Sequence, residues 1–208
     1  QSRASPSKQP TRWDLRLPLA PPVQEALREL LFQGPARLGE VMSELAGARE
    51  KNPELWELAA VVSAPGAAPQ LLHADTDFSP APCLYTAFVA LQDVRPDMGP
   101  TRFVLGTHTD SSRHGSVPHV PWEGASPVSA ILGCGDASIY DSRVLHGGGS
   151  NSSSDVRVLL TVTFRHHAAD SGLDRSETRS LLPVYKHRRL RLNDLAQEIP
   201  VDDSFALL

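Results

Sequence analysis

The sequence predicts a mainly-β domain of the jelly-roll kind, with helices on its N-terminal side, and three observations carry that expectation. Seven short β-prone segments lie between residues 55 and 165, separated by turn residues such as Pro96-Asp97, Gly99-Pro100 and 133–136; this is the pattern of a sandwiched or closed sheet. The 18 prolines and 14 glycines favour many turns and short strands over long helices. Before residue 50, by contrast, apolar residues recur at helical spacing.

Residues 1–12 are polar, with two prolines, and read as an unstructured lead-in. Residues 13–50 read as a helical segment packing on the barrel. Val23, Ala26, Leu27, Leu30 and Leu31 share a helix face, with Pro21-Pro22 at its start and Gly34-Pro35 as the C-terminal stop. Leu38, Val41, Met42 and Leu45 form the stripe of a second helix. Residues 51–169 form the expected jelly-roll core, with strands at 55–63, 71–75, 84–92, 102–105, 129–132, 137–141 and 156–165. The tail, 170–208, is polar, then basic at 186–191, with a short helix expected from Asn193 to Glu198.

Composition narrows the function classes. With 208 residues, 40% hydrophobic and 21% charged, the chain suits one globular domain. A net charge of -4 and a pI near 6.1 give no reason to expect nucleic acid as a partner. No apolar run reaches a membrane span and no secretory h-region is present, so an intracellular, cytoplasmic setting is the expectation. Gln1 in place of Met is expected of a processed or partial chain. Two cysteines, Cys83 and Cys134, make no disulfide framework. G-x-S-x-G, P-loop and C-x-x-C motifs are absent, which leaves hydrolase, nucleotidase and zinc-ribbon readings without support.

The chemistry-bearing residues begin with His73-Ala74-Asp75. On a strand, side chains two apart share a face, so the imidazole and carboxylate project into one space. His146, 71 residues beyond Asp75 and followed by Gly147-Gly148-Gly149, is placed to supply a third ligand where small residues leave room. Two imidazoles and a carboxylate suit non-haem Fe(II) with open positions, and equally a catalytic zinc with a water. An H-x-D tripeptide alone is common, and a buried histidine is more often a core residue than a ligand. Arg157 opens the apolar strand 156–165 and shares a face with Leu159, Thr161 and Thr163. A guanidinium pointing into a barrel needs an anion. Asp155, Asp136 and solvent at the rim are the plain candidates, and the carboxylate of 2-oxoglutarate is the sharp one. Asn151 is expected to cap its loop and help orient Arg157. His108 reads as a structural group, His114 and His119 as solvated residues of a loop spanning 108–128, and His166-His167 as lacking a partner at metal spacing.

Several blocks then resemble a known family. Residues 70–75 (QLLHAD), 88–93 (FVALQD), 98–108 (MGPTRFVLGTH), 135–141 (GDASIYD), 146–151 (HGGGSN) and Arg157 stand in the order and form of the phytanoyl-CoA dioxygenase family of Fe(II)/2-oxoglutarate-dependent oxygenases. The likeness covers about residues 55 to 166. It implies a double-stranded β-helix, cupin-like, in which His73, Asp75 and His146 bind Fe(II), Arg157 binds 2-oxoglutarate, and Phe88 lies beside the co-substrate. It also implies consumption of O2, release of succinate and CO2, and hydroxylation of a C–H bond of a small molecule. The chain departs from the family in two places. Gly148 stands where some relatives have a serine, removing one donor, and no N-terminal strand or basic co-substrate contact is recognisable before His73. Two alternatives stay open. A cupin-like metal enzyme without 2-oxoglutarate would have Arg157 turned outward or paired internally, and a catalytically silent jelly roll would only bind. Neither the oxidised substrate nor the oligomeric state is written in these residues.

Overall fold

The computed structural model describes residues 11–35, 37–47, 52–77, 79–110, 126–167, 169, 181–186, 188–197 and 199. The strands are β1 (Arg12–Arg16), β2 (Glu54–Ser63), β3 (Leu84–Ala90), β4 (Thr101–Val104), β5 (Val128–Ser129), β6 (Ala137–Asp141), β7 (Leu145–Gly148) and β8 (Arg157–Arg165). They form a five-stranded sheet in the order β1-β2-β8-β3-β6 and a three-stranded sheet in the order β5-β4-β7, antiparallel throughout. Neighbours in space are distant in sequence, as the jelly roll requires. The expected fold class is the observed one.

The large sheet has two chemically distinct faces, and β8 shows why. Its period-2 alternation turns Leu160, Val162 and Phe164 outward, into a core shared with Leu27, Leu31, Leu38 and Met42 of the N-terminal helices. Arg157, Leu159, Thr161 and Thr163 turn inward, as the alternation predicts, and all four are buried. The helices are α1 (Val23–Arg28), continued by a π-helical turn over Glu29–Gln33, and α2 (Leu38–Leu45). Gly34 ends the first helix in an extended conformation (φ -64°, ψ 157°), not the left-handed one its position suggested. On α2, Leu38 and Met42 are buried, but Val41 and Leu45 remain 41% and 37% exposed. The buried stripe instead includes Gly39 and Ser43, because the helices approach so closely that a Cβ at Gly39 would lie 2.6 Å from the Leu31 carbonyl oxygen.

Three elements differ from the sequence reading. Residues 12–16, split between the expected lead-in and helical segment, form strand β1, paired with β2 from Arg12↔Ser63 to Arg16↔Ala59. In the segment RWDLR, Arg12 is half-buried and the other four residues are exposed, so it carries no apolar alternation; only the open edge of β2 specifies it. Residues 71–75 are not a strand: they are tied to β7 by a single bridge between His73 and His146. Conversely, Leu145–Gly148 is a strand although half of it is glycine. The expected short helix at 193–198 is a 3-10 turn over Leu192–Ala196, whose Leu192 and Leu195 are buried beside the N-terminal helices. His114 and His119 lie outside the described residues. Cys83 and Cys134 are free thiols, and no helix among the described residues is long and apolar enough to cross a membrane.

The turn joining β6 to β7 is fixed by a buried ion pair. Arg143 Nη2 and Nε donate to the two oxygens of Asp141 at 2.7 and 2.8 Å, and Arg143 Nη1 donates to the Ser79 carbonyl. Arg143→Ala leaves the Asp141 carboxylate buried without its countercharge, and we expect urea denaturation to show a loss of about 3 kcal/mol.

Candidate metal centre

Strand pairing brings His73, Asp75 and His146 together. His73 and His146 exchange both backbone hydrogen bonds, at 2.9 and 2.8 Å, so their side chains leave the sheet on the same side. The Asp75 N–H donates to the Ser142 carbonyl at 2.8 Å, which fixes the other end of the tripeptide. Each imidazole is then oriented by a backbone carbonyl two residues earlier: His73 Nδ1 lies 3.0 Å from Leu71 O and His146 Nδ1 lies 2.9 Å from Val144 O. Those acceptors place the ring proton on Nδ1 and turn the Nε2 lone pairs inward. Nε2 of His73 and His146 lie 4.0 and 3.6 Å from Asp75 Oδ1, and the three ligand atoms lie within 4.8 Å of one another. Burial lowers the pKa of His146, which keeps it neutral and able to ligate. The second carboxylate oxygen of Asp75 accepts from Tyr140 Oη at 3.0 Å.

The same cavity, about 270 Å³, has a cationic end. Arg157 is 1% exposed, donates Nη1 to the Gly99 carbonyl, and has no partner for Nε among the described residues. Across the sheet the register runs Arg12, Ser63, Arg157, and Arg12 Nη1, Ser63 Oγ and the nearby Thr161 Oγ1 are also buried without partners. Burial and the neighbouring Arg12 charge lower the Arg157 pKa to about 10. The plain candidates for its partner are occupied elsewhere. Asp155 pairs with Arg95 at 2.9 Å, and Asp136 accepts from the Gly133 N–H at 2.9 Å. One buried nitrogen of each guanidinium, Arg157 Nε and Arg12 Nη1, and two hydroxyls lack acceptors among the described residues, although Arg12 also donates to the Ala68 and Gly149 carbonyls; a carboxylate consumes such donors.

Glycines shape this end. At Gly148, a Cβ would lie 2.7 Å from Arg12 Nη1 and 2.8 Å from Gln70 Oε1. A serine there would displace both side chains, so Arg12 and Gln70 occupy the space that the missing hydroxyl leaves. Gly99 has φ +68°, and its Cβ would lie 2.4 Å from the Gly149 carbonyl oxygen. Only glycine can present its carbonyl to Arg157 in that position. Arg12 therefore corrects the expectation that no N-terminal strand or basic residue reaches the cavity. Its β1 also supplies Asp14, whose carboxyl pKa is raised by burial.

The remaining sequence candidates fall into place around the cavity. Phe88 is 8% exposed and lines the cavity, its ring centroid 5.2 Å from Tyr140 and 6.5 Å from His146. Asn151 caps its loop, donating to the Ser63 and Asp155 carbonyls and accepting from Ser153. It thereby anchors the approach to β8 instead of bonding to Arg157 directly. His108, on the 3-10 turn Thr107–Thr109, is outside the metal group, and His166 and His167 lie with their rings tilted against each other, centroids 4.5 Å apart, near Ala46. Sequence reasoning missed Arg12, Gln70 and Tyr140. For Tyr140, the alternation of β6 with Asp141 outward was the available clue. For Arg12 there was none, because an exposed edge strand has no hydrophobic pattern.

The donor set leads to a direct measurement. Mn(II) or Co(II) titrated calorimetrically should bind at one site per chain, with affinity reduced on the order of 100-fold in His73→Ala and unchanged in His108→Ala.

The chain is similar to several known proteins. The family model for phytanoyl-CoA dioxygenase (PhyH) matches residues 18–159. The dioxygenase olcK of Penicillium canescens is 36% identical over 78 residues, covering 36% of this chain and 24% of that protein. The epimerase SnoN, solved with Fe3+, alpha-ketoglutarate (2-oxoglutarate) and nogalamycin RO, superposes with a TM-score of 0.56 at 23% identity, covering 69% of this chain and 58% of SnoN. The carbocyclase SnoK of nogalamycin biosynthesis superposes with a TM-score of 0.53 at 18% identity, covering 76% and 80% of the two chains. The chain thus spans about a quarter of the length of its curated relative and somewhat over half that of SnoN. At these identities the solved structures establish the shared fold. With the family match extending over well more than half of its residues, this chain belongs to the phytanoyl-CoA dioxygenase (PhyH) family.

Proposed function

We propose that the protein is a non-haem Fe(II)/2-oxoglutarate-dependent dioxygenase that hydroxylates a C–H bond of a small molecule. The observation that carries this reading is the coincidence, in one cavity, of the His73–Asp75–His146 group with the buried Arg157 and half-buried Arg12 guanidiniums, each keeping one buried nitrogen without an acceptor among the described residues. A metal enzyme working without 2-oxoglutarate would need Arg157 exposed or paired with a carboxylate. It is 1% exposed, and its one hydrogen bond goes to a carbonyl.

Bound in this cavity, Fe(II) would supply the oxidative chemistry, with O2 and 2-oxoglutarate consumed and succinate and CO2 released. His73, His146 and Asp75 would hold the ion by three donors on one side, leaving the other side open. Arg157 and Arg12 would neutralise the distal carboxylate of the co-substrate, with Ser63 and Thr161 offering hydroxyls beside it. Phe88, which lines the cavity and packs in one apolar cluster with Leu159, would help exclude water from the space between the two ends. Family membership, the Penicillium dioxygenase and the fold shared with SnoN and SnoK support the same reading, and epimerase and carbocyclase outcomes on that fold show why hydroxylation is the proposed part. We take the partner to be a small molecule, with neither nucleic acid nor a membrane involved.

Anaerobic addition of Fe(II) and 2-oxoglutarate should give a metal-to-ligand charge-transfer band, and admission of air should yield succinate. A protein that binds Fe(II) but shows neither band nor succinate is not this enzyme. Arg157 adds an independent readout through stability. Its charge is costly while unpaired, so 2-oxoglutarate with a redox-inert divalent metal should raise the Tm of the wild-type protein. In Arg157→Met the Tm without ligand should be equal or higher, and the ligand-induced rise should disappear.

A further inference from the structure

The inward face of the large sheet carries an in-register polar row that ends at a metal ligand. Glu57 of β2 pairs with Thr163 of β8, Thr163 with Thr86 of β3, and Thr86 with Tyr140 of β6. The side chains connect along it. Thr163 Oγ1 donates to Glu57 Oε2 at 2.9 Å, Thr86 and Thr163 hydroxyls are 2.9 Å apart, and the Thr86 hydroxyl is in hydrogen-bonding reach of the Tyr140 phenol. Tyr140 then donates to Asp75 Oδ2. A polar row across the middle of a barrel core is costly unless its hydroxyls find acceptors; Thr86 has one proton, offered to Thr163 or to the Tyr140 oxygen, while Tyr140 gives its own to Asp75.

We infer that Tyr140 is a positioning residue that makes Asp75 a one-oxygen metal ligand. The argument is geometric. Asp75 has two oxygens; Oδ1 faces Nε2 of both His73 and His146, while Oδ2 is occupied by the Tyr140 hydroxyl. A carboxylate whose second oxygen already accepts a hydrogen bond binds an ion through the first. That leaves three positions open, whereas a carboxylate binding through both oxygens would consume one of them. The phenol is held as a donor. Its O–H donates to Asp75 Oδ2 at 3.0 Å. Its ring cannot swing away, being packed against Phe88, Phe103 and His146 with centroids 5.2, 5.1 and 4.6 Å distant. Thr86 backs the oxygen from the sheet side. The row thus links the geometry of a metal ligand to the rigid centre of the large sheet.

This inference rests on the proposed metal function, and Co(II) separates the two. Co(II) is titrated into the metal-free wild-type protein, Tyr140→Phe and Thr86→Val, with calorimetry for affinity and d–d absorption for coordination. Thermal denaturation establishes that each is folded. Tyr140→Phe keeps the ring and loses the donor, so its Co(II) affinity should fall on the order of 10-fold and its d–d spectrum should change as Asp75 engages through both oxygens. Thr86→Val should give a smaller loss in the same direction. A merely structural tyrosine would lower the Tm while leaving affinity and spectrum alone. Folded Tyr140→Phe with an unchanged spectrum and an affinity within about twofold of wild type overturns the inference. Should Tyr140→Phe fail to fold, Thr86→Val decides, and wild-type affinity and spectrum there overturn it equally. Wild-type protein that takes up no Co(II) overturns both the inference and the function beneath it.

Discussion

Two backbone hydrogen bonds, exchanged between His73 and His146 at 2.9 and 2.8 Å, hold the rest of the site in place. They attach a segment with almost no regular structure to the three-stranded sheet and bring side chains 73 residues apart onto one face. The remaining contacts refine this placement. Leu71 and Val144 carbonyls set the ring orientations, and the Ser142 carbonyl places Asp75. The ion pair between Asp141 and Arg143 keeps the intervening turn from shifting. A pair that exchanges both bonds tolerates little slippage, because a one-residue shift would send either imidazole to the opposite face.

The barrel interior is unusually polar, and that polarity has a direction. One end holds Arg12 and Arg157 with donors lacking acceptors; the other holds the triad and the row from Tyr140 to Glu57. The outward face of the same sheet is almost wholly apolar and packs on the N-terminal helices. Stability and function are therefore divided between the two faces of single strands, with β8 supplying Phe164 to one and Arg157 to the other. Unpaired buried cations destabilise the free protein, and the apolar face offsets that cost. Gly148 belongs to this division as well, since the side chain it lacks is replaced by a guanidinium reaching in from β1.

Much of this was legible from local pattern. The period of β8 placed Arg157 inward, and the extents of β2, β3, β6 and β8 follow runs of β-branched and apolar residues. His73, Asp75 and His146 could be grouped because the blocks that contain them stand in the order of the family they resemble. Strand β7 was not legible, since its glycines lower the strand propensity of Leu145–Gly148 and its pairing with β4 and His73 supplies what the residues lack. Val41 and Leu45 of α2 lie exposed although they continue an apolar stripe, because the close approach at Gly39 rotates the buried face.

By itself the sequence determined the fold class, the three residues that converge as a group able to hold a metal, and the inward direction of Arg157. Each depends on residue type and on side-chain periodicity along a single segment. Only the tertiary structure decided that Arg12 shares the cavity with Arg157, that Gly148 makes room for it, and that Tyr140 holds Asp75. Each of these contacts joins residues from separate strands or from the segments between them. Which strands become neighbours is set by pairing across the sheet, where hydrogen bonds are made by backbone groups that every residue possesses. A backbone ladder leaves no mark on the amino-acid pattern, and so the partners it brings together appear only once the sheet is closed.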